Sequence, residues 1–423
     1  MSARLLRRRT VAELVSRRNG VVPAEAFAVA APIVEAIRTR GAAALRECAE
    51  RFGDVSPGGS LFFDRRVLQR ALAGLPPVDR ARLERVAERI RTFAEAQKRA
   101  LGTVTVTVPG GTAGHWIAPV ERAGCYAPGG RYPLPSSVLM TAVTAKTAGV
   151  DQIWVASPRP GAITLAAAAL AGADGVLAAG GAHAIAALAF GAGPVPPSDV
   201  VVGPGNRYVT AAKQLVGGGA RVAVDMLAGP SELVVFADRS ANPSVIAADL
   251  LAQAEHDTDA MPSLVALDEV LADRVEAELA RQLATLPTAA VAREALGNGG
   301  VVVVTSVEEG IAACDAIAPE HLELFLDDAD RVAPRLAHYG ALFIGGASAE
   351  VLGDYGAGPN HVLPTGGTAR SKGGLSVYTF LRVRTWLRID DGAAARPLLE
   401  DAAWFGRVEG LEAHARSAER RLN

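Results

Sequence analysis

The chain has 423 residues, with 43 Lys and Arg against 45 Asp and Glu, and half of its residues are hydrophobic. That length allows two or three domains of ordinary size, the apolar content excludes wholesale disorder, and a formal net charge of −2 gives no support for a nucleic-acid binder. Three scattered cysteines, Cys48, Cys125 and Cys314, draw neither a disulfide framework nor a paired zinc motif, which points to a reducing cytoplasm.

The opening residues MSARLLRRRT are basic, but no apolar stretch of signal-peptide length follows, so no secretory signal is expected. The first hundred residues read helical. Within 81–100, Leu83, Val86, Ile90 and Phe93 recur at three- and four-residue spacing, a buried stripe on a solvated helix. Thr/Val alternation over 104–108 predicts a half-exposed strand. From residue 123 the texture changes to short apolar runs at 152–156, 175–178, 200–202, 222–225 and 233–237, several followed by glycine-rich turns and alanine-rich helical segments. A second set follows at 264–267, 301–305, 322–326 and 341–344. This strand–turn–helix rhythm predicts two α/β modules with mainly parallel, doubly wound sheets. Residues 175–197 lack Asp, Glu, Lys and Arg for the length of a membrane span, but their Ala, Gly and Pro content reads as a strand, a tight turn and a buried helix. Residues 345–368 form a long aperiodic loop rich in Gly, Pro and Asn, a type of segment that is usually functional.

Two turns carry glycines: GGAH at 180–183 and GPGN at 203–206. Such turns let a phosphate approach backbone N–H groups at a helix start, although neither completes G-x-G-x-x-G and a purely structural reading stands beside it. The segment 242–256 opens with Asn242 as N-cap and Pro243 at the first helical position. On that helix Gln253 and His256 share the edge of the apolar face, fit either to coordinate a metal or to satisfy each other by hydrogen bonding. Glu320 and His321 are adjacent after a helix ending at Ala318, either a proton-transfer pair or ordinary surface groups. Asp354 and His361 lie in the long loop, each a ligand or a local hydrogen-bonder. Glu409 and His414, five apart in the C-terminal helical segment, point roughly 140° apart, so one helix face does not hold both. His338 reads as a helix-end surface residue, and His115 has no assignment.

Taken together these segments resemble the histidinol dehydrogenase family. The resemblance runs from about residue 45 to 414 through GCYAPGG (124–130), GPGN (203–206), DMLAGPSE (225–232), QAEHD (253–257), APEHL (318–322), GDY (353–355) and NHVLPT (360–365) in that order. It implies a zinc-dependent, NAD-linked four-electron oxidation, alcohol to aldehyde and aldehyde to carboxylate, as at the end of histidine biosynthesis. It implies Gln253, His256, Asp354 and His414 as zinc ligands and Glu320 and His321 as the proton-transfer pair, the histidine serving the alcohol and the glutamate activating water. Substrate contacts would come from the same ligands and His321, together with Ser231, His361 and Glu409. Cofactor contacts would come from Tyr126, His183 and Asn206. His183 stands where the family usually has Gln, Arg131-Tyr132-Pro133 departs from the usual small-residue spacer, and Arg370-Ser371-Lys372 lacks an aromatic residue. A paralogous NAD-dependent dehydrogenase for another polar alcohol, such as a sulfonated diol, is the alternative reading.

The organisation expected is an N-terminal helical segment (1–25), a first Rossmann-like domain (26–118 plus 230–384), a second, cofactor-binding one (119–229), and a C-terminal helical tail (385–423). After Gly392 the tail carries Leu398, Leu399, Trp404, Phe405, Val408 and Leu411, too much apolar surface for about thirty residues to bury alone. Together with the resemblance, this predicts a homodimer with shared active sites, the tail bringing Glu409 and His414 to the partner. No membrane or nucleic-acid partner is expected.

Overall fold

The computed structural model describes residues 4–17, 22–129, 132–219, 221–226 and 229–422. Gly130 of GCYAPGG, Arg131 after it, and Leu227 and Ala228 of DMLAGPSE lie outside the described residues. In chain order the strands are β1 (Phe62–Asp64), β2 (Val104–Val108), β3 (Gly111–Pro119), β4 (Arg122–Tyr126), β5 (Gln152–Ala156), β6 (Gly175–Leu177), β7 (Val200–Val202), β8 (Ala223–Val224), β9 (Glu232–Ala237), β10 (Met261–Ala266), β11 (Gly300–Val303), β12 (His321–Phe325), β13 (Ala341–Ile344) and β14 (Leu381–Ile389).

They form three sheets: β1-β6-β5-β4-β7-β8, β11-β10-β9-β12-β13, and β14-β3-β2. The first is parallel except for β1, which adds antiparallel to β6, and the second is parallel throughout. Numbered within each sheet, the parallel strands of both run 3-2-1-4-5, the doubly wound order. The winding reverses between β4 and β7 in one sheet and between β9 and β12 in the other. Strands in such sheets face helices on both sides, which explains why β6, β7, β9 and β12 are buried along their whole length and why β6 and β7 read as continuous apolar runs.

Helices cover both faces of the first sheet. Ala26, Ala30, Val34 and Ile37 of helix Ala24–Arg40 share a core with Leu177, Ile185 and Val201. Leu68, Leu83 and Ile90, from helices Arg65–Ala73 and Pro77–Ala100, share one with Val138, Ile153 and Val176. These helices, expected to group with 230–384, close the sheet built from 122–224. Their amphipathic pattern announced a buried face but not which sheet the face would meet. What joins the second sheet from the N-terminus is Leu6, packed with Leu233 and Val301, and Leu14 of the short helix Val11–Ser16, packed with Val234 and Leu322. A Thr10–Glu13 capping box starts that helix.

On helix Pro77–Ala100 the buried line is Leu83, Ala87, Ile90 and Ala94, while Phe93 is largely exposed. Val86 and Phe93 instead support the long loop, lying under Gly356 and Gly358, and Arg89 Nε donates to Gly356 O at 2.7 Å. Asn360 Nδ2 donates to Met140 O at 2.8 Å. The long loop therefore leaves the second sheet and is fastened to the helices of the first. The expected helical tail begins inside β14, which pairs along its length with β3. Helices Arg396–Val408 and Glu412–Glu419 follow as a hairpin, burying Ala403, Ala415 and Ala418 between them. Among the described residues no helix is long and apolar enough to cross a membrane.

Candidate active site

Glu320 and His321 sit at the amino end of β12, beside the amino end of β9, where the winding of the second sheet reverses. The backbone of Glu232, the first residue of β9, holds both side chains. Its N–H donates to Glu320 Oε2 at 3.0 Å, and its carbonyl lies 3.1 Å from His321 Nδ1. A carbonyl can only accept, so neutral His321 carries its proton on Nδ1 and presents Nε2 as a lone pair. Glu232 is itself fixed by Gly366 N–H, which donates to its Oε1 at 3.1 Å. Burial pushes His321 down to about 4 and pushes the Glu320 carboxyl well above the usual range. A neutral imidazole base and a carboxyl that holds its proton to higher pH than an ordinary one thus stand side by side, with Glu320 Oε1 the oxygen left for chemistry.

Helix Pro243–Ala254 follows β9 and runs back along the sheet, so its end returns to the same edge. Asn242 Oδ1 accepts from Ser244 N–H as the N-cap. Gln253 is fully buried, and neither atom of its carboxamide has a hydrogen-bond partner among the described residues. The helix ends at Ala254, placing His256 in the turn beyond it, with Nε2 3.8 Å from Asp354 Oδ2. Asp354 closes the helix Glu350–Asp354. His321, Glu350 and Asp354 each offer an atom within 4.8 Å of the other two. His361 Nδ1 lies 2.8 Å from Asp354 O, and its Nε2 lies 3.4 Å from Ser137 Oγ. Burial lowers the His361 imidazole as well. Ser137 belongs to helix Pro135–Ala148, the crossover after β4. His361 therefore joins the two modules: the site lies between the amino edge of the second sheet and the carboxyl edge of the first. Ser231 precedes β9, half-buried at this boundary.

The carboxyl edge of the first sheet carries the glycine turns, the edge at which open α/β sheets ordinarily bind ligands. Tyr126 ends β4; its hydroxyl accepts from Gly181 N–H at 3.2 Å, and burial pushes it up to about 12. Asn206 caps helix Arg207–Gly217, accepting from the N–H groups of Tyr208 and Val209. His183 is buried and stacked on Phe52, with Nε2 2.7 Å from Asp54 Oδ2, which also accepts from Gly180 N–H at 2.7 Å. A carboxylate thus engages the imidazole that replaces the family's usual Gln. Glu409 and His414 are not brought to the cluster. They are exposed on the C-terminal hairpin, at the C-cap of one helix and within the next. His115 Nε2 lies 3.2 Å from Gly102 O, and His338 N–H donates to Asp315.

Buried acids that went unread in the sequence include Asp249, Glu323 and Glu350. Glu323 Oε1 accepts from Glu350 N–H at 2.8 Å. The one available signal was Glu323 itself, a charge inside the apolar run LELF. Burial, with Asp249 adding to it, lifts Glu323 to about 8, and burial lifts Asp249 to about 6. The folded chain therefore holds a proton on Glu323 that the unfolded chain releases near 4.5. The stability this supplies is complete below that value and is lost as pH rises through about 8. Glu323→Gln keeps an acceptor for Glu350 N–H and cannot ionise. Its melting temperature relative to wild type is expected to climb by a few °C between pH 5 and pH 8. A pH-independent difference in scanning calorimetry would contradict this.

Two sheets wound alike, one presenting imidazole and carboxylate groups and the other glycine turns, joined through His361 and Ser137, define a two-module α/β enzyme. The profile of the histidinol dehydrogenase family matches residues 16–422. The histidinol dehydrogenase of Thermus thermophilus is 48% identical over 393 residues, 92% of this chain and 93% of that protein. That of Pseudomonas aeruginosa is 44% identical over 398 residues, 92% of this chain and 89% of that protein. The crystal structure of histidinol dehydrogenase from Elizabethkingia anophelis superposes with a TM-score of 0.92 at 30% identity, covering 100% of this chain and 99% of that one. The chain belongs to the histidinol dehydrogenase family and is an oxidoreductase.

Proposed function

We propose that the enzyme oxidises L-histidinol to L-histidine through L-histidinaldehyde in the cytoplasm, the closing steps of histidine biosynthesis, with NAD as acceptor and one zinc ion per subunit. The observation that carries this is the pairing of neutral His321 with Glu320 beside the unsatisfied carboxamide of Gln253. An unpaired buried amide costs about 1–3 kcal/mol, so a donor left in this state beside His256 and Asp354 fits a metal site. Gln253, His256 and Asp354 would hold the zinc with His414 of a second subunit, a mixed N/O set suited to that ion. When bound, zinc polarises and orients a substrate nitrogen or oxygen and takes no electrons, and NAD accepts one hydride in each half-reaction.

The residues of the chain divide the proton work. His321 Nε2 takes the hydroxyl proton as the alcohol carbon loses hydride. Glu320 Oε1 takes a proton from the water that adds to the aldehyde carbon, and loss of a second hydride leaves the carboxylate. Across both steps one alcohol, one water and two NAD give one carboxylate, two NADH and three protons. Ser231 and His361 line the substrate's path, and Glu409 of the second subunit pairs with its ammonium group. Tyr126, His183 and Asn206 mark the edge that receives NAD, with His183 acting through the turn it anchors.

The homodimer is supported by what the monomer leaves uncovered. Trp404, Phe405 and Val408 are each more than half exposed, as are Val383 and Leu387 on one face of β14 and Trp116 on β3. Apolar side chains concentrated on an arm are a mark of an interface. A hairpin burying three alanines within itself can carry Glu409 and His414 into a neighbouring molecule.

NADH formation with a panel of amino alcohols and sulfonated diols tests the substrate. Two NADH per histidinol is expected, and turnover confined to another alcohol would overturn the proposal. Chelation is expected to abolish turnover while circular dichroism stays that of the folded protein, because the buried cores do not depend on the ion. Full activity in a preparation shown to be metal-free would remove zinc from the reading.

A further inference from the structure

The GPGN turn is held by a device that no reading of the motif anticipates. Gly203 follows β7 at the reversal between β4 and β7, with φ +118°. A Cβ there would lie 2.0 Å from Tyr126 O, so the turn sits directly on the end of β4. Both polar groups of Gly203 are taken. Its N–H donates to Asp225 Oδ2 at 2.8 Å, and its carbonyl accepts from Lys213 Nζ at 2.8 Å. Lys213 and Asp225 also pair directly, and each side chain is 2% exposed.

Lys213 lies on helix Arg207–Gly217, the helix that the turn itself begins, and Asp225 lies just beyond β8. One ion pair thus ties the carboxyl ends of two neighbouring strands and the next helix to a single glycine. A buried ion pair is a poor source of stability: replacing both partners with neutral groups of similar volume is often neutral or stabilising. What an apolar pair cannot do is donate to Gly203 O and accept from Gly203 N–H. The pair's specific contribution is therefore the geometry of the turn. Asn206 continues the constraint by capping the helix, and Gly205 leaves no room for a Cβ against Val209.

We propose that Lys213 and Asp225 are positioning residues that preset the 203–206 turn to receive NAD. This rests on the reading that NAD binds at this edge. Neither residue touches the cofactor; both act through Gly203. The consequence is a selective one: cofactor affinity depends on the pair, whereas histidinol recognition, at the edge of the other sheet, does not.

The test is NADH fluorescence titration of the zinc-loaded dimer, with melting temperature and the KM for histidinol measured alongside. Lys213→Met alone leaves Asp225 buried and unpaired, and is expected to lower both melting temperature and NADH affinity. The double variant Lys213→Met/Asp225→Asn is the decisive one. Its melting temperature is expected to return close to wild type, while its Kd for NADH stays weaker by about tenfold or more and its KM for histidinol is unchanged. Recovery of NADH affinity in step with melting temperature would show a purely structural pair and overturn the proposal. If the double variant does not fold, Asp225→Ala, which removes the acceptor for Gly203 N–H, gives the same reading: weaker NADH binding at unchanged histidinol KM supports positioning, and wild-type NADH binding overturns it. A wild-type enzyme that does not bind NADH would overturn the cofactor reading and this proposal together.

Discussion

Glu320→Gln is expected to slow aldehyde oxidation by about 10²–10⁴-fold, the usual worth of a general base, and to leave alcohol oxidation within about tenfold of wild type. The substitution keeps the fold of the site. A glutamine oxygen still accepts from Glu232 N–H, the bond that orients the side chain at 3.0 Å. What disappears is the capacity of the second oxygen to take a proton from water, and only the second half-reaction adds water. His321→Asn is expected to act in the opposite sense, since it removes the Nε2 lone pair that serves the alcohol. Their environments also separate them in pH. Burial raises Glu320, so its ionised, basic form grows in as pH rises through a value well above 4.5. Burial lowers His321 to about 4, so it is already neutral where an ordinary imidazole would still be titrating. Single-turnover assays started from histidinol and from histidinaldehyde measure the two steps apart. Equal losses in both for Glu320→Gln would reject this division of labour.

The parts of the fold that were legible are those whose cause is local. β7 falls on the apolar run 200–202 because a strand buried on both faces needs nothing else to mark it, and β5 and β13 fall on the runs 152–156 and 341–344. Asn242-Pro243 starts its helix as a cap followed by a residue with preset φ. Which sheet the helices within 26–118 cover was not legible, for the complementary reason. An amphipathic helix records that it will be buried, and the identity of the covering surface is decided by chain path.

The site divides the same way. Glu320 and His321 are sequence neighbours, and their shared anchor, the backbone of Glu232, is a consequence of β12 pairing with β9. Glu350 lies unmarked in the stretch read as an aperiodic loop until folding brings it against Glu323 and His321. Lys213 carries no mark in RYVTAAKQL, and the Asp225 that pairs with it arrives from beyond the next strand. Asp54 likewise meets His183 across 129 positions of chain. Each of these is a long-range pairing of polar groups, and hydrophobic periodicity carries no information about it.

The same limit makes the C-terminal hairpin the most consequential element to test. Within one chain Glu409 and His414 are exposed and apart from Gln253, His256 and Asp354. If the hairpin crosses to a partner, each site is built from two chains, and two different lesions can be sorted between sites. Glu320→Gln and His414→Ala are each expected to give an inactive or severely impaired homodimer. Co-expressed as a heterodimer, they distribute unequally. The site on the Glu320→Gln subunit receives the hairpin carrying His414→Ala and holds both lesions, while the other site holds neither. The purified heterodimer is therefore expected to recover about half the wild-type activity, one intact site of two under C₂ exchange of the arm. If each hairpin served its own chain, every site would retain one lesion and the heterodimer would stay as impaired as its parents. A heterodimer that stays inactive would refute the shared site.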